Sequence, residues 1–361
     1  MIYLLTTPHH LCLEEFLAGR GAPFASRIVP LLYSTLFSAR ELPAGTYIFA
    51  DLERLSNAEL ERAAGVWRQL APREGAVRLL NHPTRARRRF ELLRALRARG
   101  INDFDVYRLD EGRVPRRFPV FVRGEHGHNS VTSDLLYDAG ALERFVEERR
   151  ALGLCAGASL VTEFCGGPDE RGLYRRYAAW KVGERIIPND IFFGRSWEVR
   201  GHNLVVDEQT IAEEERFLRD NPHEAQLREV FDLARIDYGR VDYGVVDGRV
   251  QVFEINTNPY IAPTPLGGAA RAHLYEHFSR DLLAALAALD GAAPHSSVGA
   301  APRLKLKPAP GRGRRFALWL WLSIQQSLYG SLWHVGGKQY GPRLRLSWRL
   351  LQQGKRLLRR G

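Results

Sequence analysis

Arg240, Asp242, Glu254 and Asn256 are the residues of this 361-residue chain whose types and spacing best suit chemistry. In an extended strand, side chains two apart share a face. Arg240 therefore points with Asp242, and Glu254 with Asn256. Asp247-Gly248, between the two runs, is the dipeptide of a tight hairpin. The turn sets the strands side by side, so two carboxylates, an amide oxygen and a guanidinium converge. Magnesium, or manganese in its place, takes hard oxygen ligands and commonly binds through one or two carboxylates plus substrate phosphates. Asp242, Glu254 and Asn256 supply such a set, and Arg240 supplies a charged fork for a phosphate oxygen. The other face, with Val241, Tyr243, Val245, Phe253 and Ile255, is expected to be core. A solvated surface hairpin accounts for Asp247 and Arg249. It does not account for a carboxylate and an amide ending a strongly apolar strand.

Elements that could carry this hairpin are legible upstream. Residues 2–5, 46–50 and 76–80 read as strands. Ser56 with Glu59 three residues on reads as the capping box of a helix that runs to about Leu70. Residues 85–99 read as an amphipathic helix with Phe90, Leu93 and Leu96 on one face and Gly100 ending it. This is an α/β layout. Strands follow at 119–123, 159–164 and 174–182, the last pairing with 185–187 across Gly183-Glu184. Helices are expected at 141–152, 213–218, 223–234 and 269–289.

The Arg-x-Asp and Glu-x-Asn strands resemble the C-terminal signature of the ATP-grasp superfamily. That resemblance implies ATP and Mg2+ (or Mn2+) as cofactors, with Asp242, Glu254 and Asn256 as metal ligands and Arg240 on the transferred phosphate. By the same resemblance, residues 119–123 are similar to the strand ending in the family's phosphate-binding lysine, a position held here by Arg123. Residues 159–165 are similar to the hinge strand whose backbone reads adenine. This implicates Glu163, Phe164 and Cys165, with Glu163 as the hinge acid. A second lysine of the family has no counterpart among residues 85–89, where Arg87, Arg88 or Arg89 could replace it. Arg175 and Lys181 share a strand face, and one of them is expected to reach the phosphates. The implied fold is two α+β subdomains gripping ATP, at 81–160 and 161–289, preceded by an α/β domain at 1–80. A disordered linker is expected at 290–315 and a basic amphipathic tail at 316–361.

Charge separates body from tail. Residues 302–361 hold 14 of the 52 basic residues and no acid, which leaves 38 basic against all 41 acidic residues elsewhere. A basic tail with Trp319, Trp321, Trp333 and Trp348 among leucines suits an anionic membrane surface. A partner protein, or the body of the chain itself, would suit it as well. Nucleic acid is not expected, because leucine outnumbers the residues that could stack on bases. Ser323, Gln325, Gln326 and His334 argue against a spanning helix at 316–335. Three cysteines, Cys12, Cys155 and Cys165, form neither a disulfide framework nor a zinc pattern. With no signal-like start, this suggests a cytoplasmic protein, peripheral at the inner membrane face if the tail binds lipid. His9-His10 and the loop His126-Gly127-His128 read as ordinary loop. Glycine motifs of the Rossmann and P-loop types are not found.

The resemblance implies ligation of a small-molecule carboxylate to an amine through an acyl-phosphate. A phosphotransferase or a thioester-forming ligase on the same fold stays open. So does a non-catalytic ATP-binding module recruited by its tail to a membrane or an assembly. Residues 261–268 are the expected substrate-facing loop.

Overall fold

The computed structural model describes residues 1–8, 13–73, 75–126, 132–152, 158–201, 203–291 and 303–306. Residues 1–309 form one compact unit, and 310–361, a second unit, lie outside the described residues. The readings made on His9-His10, Cys12, His128, Cys155 and the 316–361 tail fall outside them too.

The N-terminal domain begins with β1 (Ile2–Thr6), α1 (Glu14–Ala18), β2 (Ile28–Leu32), α2 (Tyr33–Ser38), β3 (Glu41–Pro43) and β4 (Gly45–Phe49), followed by α3 (Asn57–Leu70) and β5 (Val77–Leu80). Four of these strands form a parallel sheet in the order β2-β1-β4-β5. Parallel strands covered on both faces read as unbroken apolar runs, and β4 is buried along its whole length. One face packs Leu5, Tyr47 and Phe49 against Leu60 and Leu70 of α3. Ser56 caps α3 as expected: its side chain accepts from the Glu59 N–H, and Glu59 reaches back to the Ser56 N–H at 2.8 Å. Pro30 sits in β2, at the sheet edge, where a missing N–H costs least.

Next come α4 (Arg89–Ala98), β6 (Val106–Arg108), β7 (Val120–Gly124), α5 (Ala139–Ala151) and β8 (Ser159–Glu163). The strands form an antiparallel sheet in the order β6-β8-β7. The expected boundary at 160/161 falls within β8. The last subdomain holds β9 (Tyr174–Val182), β10 (Arg185–Gly194), α6 (Glu208–Asp220), α7 (Glu224–Ala234), β11 (Tyr238–Val246), β12 (Arg249–Asn256) and α8 (Ala272–Gly291). Its antiparallel sheet runs β10-β9-β11-β12. Two α+β subdomains preceded by an α/β domain are the arrangement expected from the sequence.

Two cores fix these parts relative to one another. Phe278, Leu282 and Leu286 of α8 lie between β1 and β4 on one side and Trp180, Ile187 and Tyr238 on the other. Leu92, Leu93 and Leu96 of α4 share a core with Leu227, Val230 and Phe231 of α7 and with Val241, Tyr243 and Val252. Helix α4 begins at Arg89 rather than Arg85, because Arg85 and Ala86 turn back onto the His82 carbonyl and the Arg87 N–H goes to Ala234. The expected linker is interrupted by β13 (Arg303–Lys305), which pairs antiparallel with β3. Leu304, between two basic residues, turns inward onto Leu42 and Tyr47. That is a period-2 signal too short to register in the composition. No helix among the described residues is long and apolar enough to cross a membrane.

Candidate nucleotide and metal site

Strands β11 and β12 pair so that Arg240 faces Asn256 and Asp242 faces Glu254, which puts all four side chains on one surface. Asp247 (φ 49°) and Gly248 (φ 74°) form the turn, and both central residues have the positive φ that matches strand twist in a two-residue hairpin. Between Asp242 and Tyr243 the register slips by one residue, so Phe253 has no partner across the ladder. The expectation that Phe253 is core is therefore corrected in part. It reaches the cleft, its ring within 3.0 Å of where a Cβ on Gly244 would stand. A bulge of this kind re-aims one side chain without losing the pairs around it.

Two buried asparagines hold the strands. β12 is an edge of its sheet, and Asn102 substitutes for the missing neighbour. Its amide donates to the Val252 carbonyl at 2.9 Å and accepts from the Val252 N–H at 2.8 Å. Asn81, with φ 62°, accepts from the N–H groups of Asp237 and Tyr238 and donates to the Tyr238 carbonyl at 2.7 Å. The exit from β12 is held by the N-terminal domain, where the Thr257 hydroxyl donates to Glu53 at 2.5 Å and accepts from the Leu52 N–H.

Four arginines cover the two carboxylates. Arg240 meets Asp242 through two bonds, Nε to Oδ1 at 2.8 Å and a terminal nitrogen to Oδ2 at 3.1 Å. Arg176 approaches the same Oδ2 at 3.5 Å. Glu254 Oε2 accepts from Arg123 at 2.5 Å and from Arg89. Asn256 donates to Glu254 Oε1 at 3.4 Å. Arg89 also donates to the Gly124 carbonyl at 2.6 Å. Burial lowers Arg123 to about 10, with Glu254 opposing the shift and Arg89 adding to it. Asp190, against Arg176 and Arg240, is pushed upward by burial.

The sequence placed Arg175 or Lys181 at the phosphates, and the register brings Arg176 to the face of Asp242 instead. Asp242 pairs with Ala178, so Arg176 shares its face, whereas Tyr177 stacks on Tyr243 on the other face. Arg175 lines the cleft but is taken up by Glu213 at 2.7 Å and Asp169 at 2.8 Å. Lys181 lies away from the cleft, 3.1 Å from Asp232 and over the Phe231 ring. Among residues 87–89, only Arg89 reaches the carboxylates. Arg87 goes to the Leu233 carbonyl, and Arg88 to Asn57 at 3.0 Å.

The cleft encloses about 540 Å³, within the range of small-ligand sites. Arg123, Arg176, Arg240, Asp242, Glu254 and Asn256 line it, whereas Arg89 lines a smaller hollow that shares Asn256. Aromatic rings line the cleft too: Trp197 lies 5.1 Å from Phe121 and 5.8 Å from Phe164, ring centre to ring centre. Trp197 follows β10 in an irregular segment, and nothing in its spacing singles it out in the sequence. Phe164 and Cys165 line the cleft, with the Cys165 thiol 3.7 Å from Gln251 Oε1. Glu163 lines the cleft as well, but its carboxylate is spent internally. It accepts from the N–H groups of Asp105 (2.9 Å), Arg116 (3.0 Å) and Arg117 (3.2 Å) and from the Tyr107 hydroxyl (2.8 Å). It ties the loop after β6 to β8. Burial and that bond push Tyr107 up to about 12.

Among the described residues no group of three or more His, Cys, Asp or Glu side chains could hold a metal ion alone. Asp242, Glu254 and Asn256 offer two carboxylates and one amide oxygen beside four guanidiniums. That incomplete donor set fits an ion whose remaining ligands are phosphate and water.

No protein-family model and no curated protein matches the chain. Solved structures similar to it include a D-alanine–D-alanine ligase from Bacillus anthracis complexed with ATP, at 14% identity and TM-score 0.45, over 81% of this chain and 96% of that one. Another is a RimK domain ATP-grasp protein from Sphaerobacter thermophilus, at 15% identity and TM-score 0.45, over 80% and 98%. A third is an L-amino acid ligase from Bacillus licheniformis, at 13% identity and TM-score 0.40, over 79% and 73%. These are likenesses of overall arrangement, and the functional reading rests on this chain's own side chains.

Proposed function

We propose that this chain is an ATP- and Mg2+-dependent ligase that joins a small-molecule carboxylate to an amine. One observation carries the reading: Arg240, Asp242, Glu254 and Asn256 share one surface and line a cleft that Phe121, Phe164, Trp197 and Phe253 also line. The acid substrate's carboxylate oxygen attacks the γ-phosphorus and ADP leaves, giving an acyl-phosphate. The amine then attacks the acyl carbon, phosphate leaves, and the amine gives up a proton. Asp242, Glu254 and Asn256 would hold magnesium, which would supply positive charge to neutralise the phosphates. The chain's own part is positioning and charge stabilisation. Arg240 and Arg176 face the transferred phosphate from the four-stranded sheet and Arg123 from the other subdomain, with Arg89 held on Glu254. Phe121, Phe164, Trp197 and Phe253 exclude water around the base. No covalent protein nucleophile is needed.

The test is ADP formation by the purified chain against a panel of carboxylic acids, amino acids and small amines. The reading expects ADP, phosphate and an amide in equal amounts, with ADP formation that requires the amine. ADP formation that needs no amine and leaves a stable phosphorylated acid would point to a phosphotransferase. Binding without any turnover across the panel would leave only a nucleotide-binding module.

A further inference from the structure

Every oxygen of the two carboxylates assigned to the metal already has an N–H against it. Asp242 Oδ1 and Oδ2 take the two arms of Arg240, and Oδ2 also faces Arg176. Glu254 Oε2 takes Arg89 and Arg123, and Oε1 takes the Asn256 amide. Four guanidiniums thus stand around two carboxylates, with buried Asp190 as a third beside Arg176 and Arg240, and the remaining excess of positive charge repels a lone divalent cation and attracts a polyphosphate. The pairs also cross the cleft. Arg89 begins α4 and Arg123 lies on β7, whereas Glu254 lies on β12 of the other subdomain.

Arg89 is out of place by local rules. It is the first residue of α4, at the end where the helix dipole disfavours a cation, and the Arg88 side chain provides no cap. A residue that breaks a local preference and is 6% exposed is held by its long-range partners, here Glu254 and the Gly124 carbonyl.

We infer that in the nucleotide-free protein Arg89 and Arg123 occupy Glu254 in place of the divalent ion, and latch the two subdomains across the cleft. The site is then a polyphosphate site first and a metal site second. A triphosphate draws the two arginines onto its own oxygens, which frees Glu254 for the ion that arrives with it. This deepens the ligase reading and rests on its assignment of the phosphate end.

The full chain is titrated with MnCl2 alone, followed by the electron paramagnetic resonance of free Mn2+. Separately, inorganic tripolyphosphate is titrated by calorimetry in EDTA. Wild-type protein is expected to leave the free Mn2+ signal unchanged, and to bind tripolyphosphate without metal. Arg89→Gln and Arg123→Gln, each checked for native circular dichroism, are expected to move the two affinities in opposite directions. Mn2+ binding by the free protein tightens and tripolyphosphate binding weakens, each by roughly tenfold or more, the worth of a charge-assisted hydrogen bond. Having two variants on separate elements keeps the test open if one does not fold. Tight Mn2+ binding by the free wild type, loss of Mn2+ affinity in either folded variant, or no tripolyphosphate binding in EDTA would each overturn the latch. The readouts separate the two claims. If tripolyphosphate and Mn2+ behave as stated but ATP does not bind, the ligase reading fails alone. If MgATP binds but Mn2+ affinity is the same in wild type and variants, the latch fails alone.

Discussion

Replacing Asn102 with leucine should unfasten the edge strand that carries the site. The Asn102 side chain is fully buried and closes two hydrogen bonds on one residue, 2.8 Å from the Val252 N–H and 2.9 Å to its carbonyl. Leucine keeps the volume and removes both partners. A buried backbone group left unsatisfied costs about 1–3 kcal/mol, so the substitution should cost roughly 2–5 kcal/mol. That is a large share of the ~5–15 kcal/mol typical of a folded protein. Val252 immediately precedes the bulge at Phe253, so loosened pairing there also displaces Glu254. Equilibrium urea unfolding measures the first effect, and hydrogen exchange at the Val252 amide locates it. Nucleotide affinity should fall in the same variant. Asn102→Asp keeps an acceptor for the Val252 N–H and should be milder at low pH, where its carboxyl also donates. A leucine variant within about 0.5 kcal/mol of wild type, the range of an ordinary surface change, would refute the idea that this amide holds β12.

Other outcomes follow from the same geometry. Arg176→Ala should weaken MgATP binding by roughly tenfold or more, and Lys181→Ala should leave it unchanged, because Lys181 lies on Asp232 and Phe231; calorimetry on both checks the register argument. Trp197→Ala should reduce affinity for adenine nucleotides by about tenfold through lost ring contact, with tripolyphosphate affinity unaffected. Glu254→Gln should abolish metal-dependent nucleotide binding. It should also lower stability in urea unfolding, since it leaves two buried guanidiniums with a neutral partner. Burial pushes Glu214 up to about 7 against the pull of Arg271, and pushes Asp51 up to about 6 with help from Glu53. An acid with a raised folded-state pKa holds its proton where the unfolded chain has released it, so stability falls as pH rises from about 4 to about 7. The thermal midpoint should therefore be higher at pH 5 than at pH 7.5 from these two groups, and Glu214→Gln should flatten the upper part of that slope.

The hairpin was legible because its rules are local. Strand parity, the Asp-Gly turn and the capping box at Ser56 each depend on residues a few positions apart, and each is found where the sequence puts it. What stayed hidden depends on contacts between distant segments. The bulge that turns Phe253 into the cleft is invisible to a period-2 reading, which assumes an unbroken ladder. Choosing Arg176 over its neighbours required knowing that Ala178 faces Asp242. Glu163 sits on the expected strand, but the loop after β6 consumes its carboxylate. Arg89 is one of three arginines at 87–89 that the sequence leaves equivalent, and only its contact with Glu254 separates it from Arg87 and Arg88. Leu304 was masked by the proline, glycine and basic residues around it.

The most direct test of the central claim is calorimetric titration of the full chain with ATP in the presence of Mg2+, for wild type and for Asp242→Asn. The account predicts one nucleotide per chain in the wild type, with affinity that falls when Mg2+ is replaced by EDTA. In Asp242→Asn the affinity should no longer respond to Mg2+. No ATP binding by folded wild type, or binding equally responsive to Mg2+ in both proteins, would contradict it.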